Sequence, residues 1–237
     1  MNLIKSEFKK IIQETLTYYP DFIVGSSTHF ILFFLLVHGR DEDTLIIFSY
    51  VLWIMASGVL SEASITISME KQLGTLQNLL IKPYSILHIV IVKTVVWFFI
   101  NLLKIMIFLL ILSFFYSITP IFRFNILCIL IVACLGVMGL ALILSALTLI
   151  FTKVASFEVV ISYILLMLSG SIVNIPSCVR YTNPISMGNY CVSLILYSKI
   201  ELFHICVLAI ISIFYFIIGI VIFRLVFQNS KQFRWTY

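Results

Sequence analysis

Charge is scarce in this 237-residue chain: Asp, Glu, Lys and Arg together make up 11% of it, where a soluble domain carries roughly a quarter. With 62% of residues from the hydrophobic set and a mean hydropathy of +1.17, that scarcity excludes a water-soluble globular domain. It equally excludes a disordered chain, which needs the reverse composition. Catalytic signatures are missing too. Neither HExxH nor GxSxG occurs, so an intramembrane enzyme would have to be built from the scattered groups Asp21, His29, Glu62, His88 and His204. Five cysteines show no CxxC and no Cys/His spacing, and no metal site is expected. The G-x-x-x-x-G-K-[ST] loop that cradles ATP phosphates is absent, as are the Gly-rich filter or charged ring of a passive channel. Residues 1–20 lack the direct step from a charged start to an apolar run that marks a cleaved signal, so insertion through the first span is expected.

What the chain does have is apolar stretches at 22–37, 44–66, 85–115, 124–151, 159–173 and 202–227. At about 20 residues per crossing they predict an all-α, polytopic bundle of six transmembrane helices filling one transmembrane domain over 1–237. The first and fifth are short and interrupted, by Ser26, Ser27, Thr28 and His29 and by Ser169, Gly170 and Ser171, so a count of five or seven stays open. Before the first span, residues 3–19 place Ile4, Phe8, Ile11, Ile12 and Leu16 on one face and Lys5, Lys9, Lys10, Gln13 and Glu14 opposite. That pattern predicts an amphipathic helix in the interface, its lysines drawn to anionic headgroups.

Lys and Arg set the orientation. With six spans, one side holds Lys5, Lys9, Lys10, Lys71, Lys82, Lys93, Lys153, Arg224, Lys231 and Arg234, and the other only Arg40, Arg123, Arg180 and Lys199. The positive-inside rule puts both termini in the cytoplasm. Topology therefore accounts for the net charge of +5, and no nucleic-acid partner is inferred.

Residues 69–83, between the second and third spans, are too apolar for a solvated turn. Leu73, Leu76, Gln77 and Leu80 recur at helical spacing, Glu70 and Lys71 flank the start, Gln72 follows, and Pro83 supplies a stop. They predict a short helix on the inner membrane surface, with Gly74 leaving room for another backbone. The run Glu70-Lys71-Gln72-Leu73-Gly74-Thr75-Leu76, then Leu79, Pro83 and Lys93, resembles the E-x-x-x-G-T-L…P…K signature of ABC-2 type exporter permeases. The resemblance implies that 69–83 is a coupling helix docking in a separate ATP-binding cassette ATPase subunit, which would bring the ATP and magnesium; no cofactor is expected in this chain. Where the family often has Glu after Gly-Thr-Leu, this chain has Gln77. The resemblance also implies a homodimer, or pairing with a second permease subunit. The cargo it suggests is a small amphiphilic drug or peptide, including bacteriocin self-immunity, with glycolipid or polysaccharide export as the alternative. The Ile- and Phe-rich composition suits a bacterial plasma membrane.

Ionisable groups inside a span cost about 2.5–3.5 kcal/mol each at the centre, so each needs a reason. Counting 1.5 Å per residue from Glu70 and Ser85 puts Glu62 and Lys93 both at about 12 Å and Lys104 at about 28 Å. A Glu62–Lys93 pair is therefore expected, with Lys104 near the outer interface. Lys93, Trp97, Asn101 and Lys104 share one helical face, and Tyr50, Ser57, Ser61, Ser64 and Ser68 share another. These stripes, with His29, either line a path through the membrane or glue helices together; Gly136, Gly139, Ala141 and Ser145 favour gluing. Residues 174–201 read as an external segment whose run 190–197 forms a re-entrant or surface helix, with Cys178 and Cys191 close enough in sequence to raise the question of a bridge.

Overall fold

The computed structural model describes residues 3–17, 19–37, 44–72, 74, 84–116, 123–151, 155–173, 175–197 and 202–230. Among them no strand occurs and helices follow one another: α1 (Leu3–Thr17), α2 (Tyr19–Val37), α3 (Thr44–Gln72), α4 (Ile86–Leu112), α5 (Phe124–Ile150), α6 (Ala155–Leu168), α7 (Ser177–Arg180), α8 (Pro184–Tyr197) and α9 (Leu202–Ser230). Four of them, α3, α4, α5 and α9, are long and apolar enough to cross a membrane. Shorter apolar helices, Ile23–Leu36 and Phe157–Leu168, stand where the sequence places its first and fifth spans.

Local signals explain several boundaries. Ser85 caps α4 by accepting the His88 N–H at 3.3 Å, one of the donors a helix start leaves open. The polar run in α2 does not break the helix, because three of its four side chains turn back onto their own backbone. Ser27 donates to the Ile23 carbonyl, Thr28 to that of Val24, and His29 Nδ1 meets that of Gly25, all within 2.8 Å. At the far end of α3, Gly74 takes a φ of +68°, and its N–H donates to the Lys71 carbonyl at 3.2 Å. The helix stops because a residue without Cβ can turn left-handed there.

The core is organised around α3 and α5, which pack on each other through Val59, Ala63, Val137 and Ala141, all buried. Small residues set the approach of α9. A Cβ at Gly139 would run into the Tyr215 carbonyl, and one at Gly219 into the Gly139 backbone, so the two helices cross with backbones touching. Gly136 seats Pro184 in the same way, and the Ser145 hydroxyl donates to the Ala63 carbonyl at 3.0 Å. On α5 the small and polar residues are glue.

Helix α8 is sunk into the bundle against α3, α5 and α9, with Ile185, Met187, Cys191 and Val192 fully buried. Asn189 accepts the Ser49 hydroxyl at 2.8 Å, pinning α8 to α3. Cys178 and Cys191 are free thiols, one exposed and one buried with its Sγ toward the His204 carbonyl. Residues 174 and 198–201 of that segment lie outside the described residues.

Candidate coupling junction and intramembrane cavity

Two polar places stand out in this apolar bundle, both attached to α3. The first is the end that carries the signature. Lys93 Nζ lies 3.2 Å from Glu70 Oε1, with side chains only 8% and 17% exposed, and Lys10 Nζ approaches the same oxygen at 4.0 Å while also facing Glu14 at 3.7 Å. Next along the chain, Lys71 Nζ donates to the Leu149 carbonyl at 3.0 Å and the Ile150 carbonyl at 3.4 Å. Those carbonyls end α5, where orphan acceptors and the negative helix end favour a cation. Helix α1 reaches this place because Phe8 and Ile11 pack on Val92, Val96, Trp97 and Ile100 of α4. One end of α3 thereby holds α1, α4 and α5 together.

This geometry corrects the expected Glu62–Lys93 pair. The count from Glu70 and Ser85 sets those two residues level, but α3 runs unbroken to Gln72 and Glu70 stands level with Lys93, eight residues further along α4. A shift of eight residues is roughly 12 Å. It brings Glu62 to Lys104 instead, and the two interact electrostatically, so Lys104 faces the bundle interior and its Nζ lies 5.6 Å from the Trp97 ring centre. The signature's Glu70 and Lys93 are each other's partners. Of the proposed surface helix 69–83, residues 69–72 are the last turn of α3 and Gly74 is the turn after it. Leu73, Thr75, Leu76, Gln77, Leu80 and Pro83 lie outside the described residues. Gln72 is exposed and donates to the Ser68 hydroxyl at 3.4 Å.

The second place is a cavity of about 650 Å³ between α2, α3, α4 and α6. His29, Ser57, Ser61, Asn101 and Lys104 of the polar stripes all line it, with Glu62. Trp97 does not; it packs on α1. Asn101 lies against Gly58, whose missing side chain leaves it room, and is only 6% exposed, yet among the described residues its Nδ2 has no hydrogen-bond partner. The wall is stitched by Trp53 Nε1 donating to the Ser162 carbonyl and Tyr50 Oη donating to that of His29, both at 2.8 Å.

One lining residue escapes the sequence argument. Glu158 begins an apolar run and is easily taken for a loop residue just outside the fifth span, but it sits in the first turn of α6 at 8% exposure. Its Oε2 accepts the Ser64 hydroxyl at 3.3 Å, with the Ser61 hydroxyl beside it. The findable signal is Ser61 and Ser64 on one face of α3, two donors awaiting an acceptor.

The fold and these two places define a polytopic helical membrane protein whose polar residues gather at one end of a long hairpin and around an internal chamber. The family model for ABC-2 type transporters matches residues 1–200, everything before α9. The chain belongs to that family and is a membrane transport component of it. No curated protein matches the chain.

Proposed function

We propose that the chain is the permease subunit of an exporter driven by a separate ATP-binding subunit, and that it works by alternating access. What supports the reading is the continuity of α3. One unbroken helix carries Glu70 and Lys71 at the signature end and Ser57, Ser61 and Glu62 at the cavity, about 12–20 Å away. A push on residues 73–83 is delivered to the foot of α3, where the Glu70–Lys93 pair and the Lys71 contacts make α4 and α5 move with it. A rigid element shared by two sites is the physical requirement for coupling them.

On this reading the chain crosses the plasma membrane six times with both termini cytoplasmic, α2 and α6 being the short crossings. It works as a dimer with itself or a second permease, and carries a small amphiphilic drug or peptide through the cavity. The coupling segment is the most direct test. Leu76→Asp in the full chain should abolish co-purification with the ATPase and ATP-dependent transport in proteoliposomes, while thermal unfolding of the chain alone stays unchanged. Transport that continues without any ATPase, or a segment 73–83 labelled only from outside the cell, overturns the reading. Gly74→Trp is a poor probe, since its left-handed backbone disfavours any side chain whether or not a partner docks.

A further inference from the structure

Among the described residues lining the cavity are two carboxylates, Glu62 and Glu158, and one lysine, Lys104. Glu62 and Lys104 answer each other, and the His29 ring nitrogen Nδ1 is engaged by the Gly25 carbonyl. Glu158 remains. Its hydrogen-bond donors are the neutral hydroxyls of α3, and among the described residues no cation lies within ion-pairing distance of it. A carboxylate with little access to water gains more from an incoming cation than from a serine hydroxyl. Across the chamber Asn101 Nδ2 is a second unanswered group, a buried donor awaiting an acceptor. Between them the walls are Phe30, Trp53, Phe108 and Tyr163, faces that accept an apolar body and favour a cation over them. The volume falls within the roughly 300–1,000 Å³ of sites for drug-sized ligands.

We infer that this cavity binds a cationic amphiphile bearing a hydrogen-bond acceptor, with Glu158 as its counter-ion and Asn101 as the donor to its acceptor. The inference names the cargo class of the permease proposed above, and rests on that reading only for the ligand's onward transport. Binding itself is a property of the chain alone. The cation replaces the counter-charge Glu158 lacks, the carbonyl or hydroxyl takes the free Asn101 N–H, and the Glu62–Lys104 pair is left in place.

Binding to the purified full chain in zwitterionic nanodiscs, measured by fluorescence anisotropy against empty discs, tests it. Rhodamine 6G, a planar cation with an ester carbonyl, is compared with fluorescein ethyl ester, an anion on the same skeleton. Wild type should prefer the cation by at least tenfold. Glu158→Gln, which keeps an acceptor for Ser64, should remove that preference, and Asn101→Ala should weaken rhodamine 6G severalfold. Equal binding of the two dyes by wild type, no rhodamine 6G binding, or a preference unchanged in Glu158→Gln overturns the inference; the wild-type comparison decides even where a variant fails to fold. Failure of the permease reading looks different: cation selectivity through Glu158 persists, but adding the ATPase and ATP moves no dye.

Discussion

The seam between α5 and α9 and the hollow beside α3 are built from opposite choices of residue. Along the seam Gly139 and Gly219 remove side chains so that backbones touch, while Gly136 seats Pro184 of α8 beside the Ser212 backbone. Around the hollow, by contrast, Gly58 removes a side chain and Asn101 occupies the space without finding a partner, next to Glu62, Lys104 and Glu158. The same residue type makes a dry contact in one place and a polar recess in the other. The difference is what faces it: backbone across the seam, a buried amide across the hollow. A bilayer supplies no hydrophobic drive for helices to associate, so close packing has to hold the seam, and the hollow persists because rigid neighbours surround it.

The contrast breaks most sharply at the seam. Gly139→Leu forces a side chain into the Tyr215 carbonyl, where no rotamer can relieve the clash, and should cost about 3 kcal/mol or more. Its signature is loss of the folded chain in detergent at temperatures where wild type survives; a Leu variant with wild-type unfolding would mean the two backbones do not touch. Next in size is the foot of the hollow. Lys93→Met removes the nearest cation from Glu70, with Lys10 standing further off, and should cost about 2 kcal/mol by thermal unfolding, less than for a fully buried pair because Glu70 keeps some water. Reversing both charges, Glu70→Lys with Lys93→Glu, should recover most of that loss. The reversal Glu62→Lys with Lys93→Glu should recover none, and rescue by it would restore the pairing that residue counting suggests.

That misplaced pair shows where a sequence stops being legible. Helix identity, the amphipathic start, the cap at Ser85 and the signature from Glu70 to Lys93 are local patterns, and each is readable from a few consecutive residues. Helical periodicity puts Ser57 and Ser61 on one face of α3, and Asn101 and Lys104 on one face of α4 with Trp97, but not which helices meet around the cavity or that Trp97 turns to α1. Register between two helices is not local. It depends on how far α3 continues before Gly74 turns it, and eight residues of helix shift a partner by about 12 Å. The same limit hides Glu158, whose role depends on α6 packing against the Ser61 and Ser64 face of α3. The Lys71 contact with the end of α5 is likewise a matter of packing between helices, which no local pattern around Lys71 announces.

Two smaller effects sharpen the comparison by separating backbone geometry from charge at the foot of α3. Gly74→Ala adds a Cβ to a left-handed residue and should cost about 1 kcal/mol, with unfolding lowered slightly and cargo binding in the cavity untouched. Lys10→Ala should do least. Lys10 is 54% exposed, stands 4.0 Å from Glu70 and shares itself with Glu14, so water and salt screen most of its attraction and the loss should stay below about 0.5 kcal/mol. Helix α1 should remain docked in that variant, because Phe8 and Ile11 on the α4 face, rather than the lysine, hold it there. Hydrogen exchange of the α1 amides measures this directly. Protection that vanishes in Lys10→Ala would mean that charge, not apolar contact, fastens the first helix, and that the ion network around Glu70 belongs with the hollow's polar residues rather than serving as its frame.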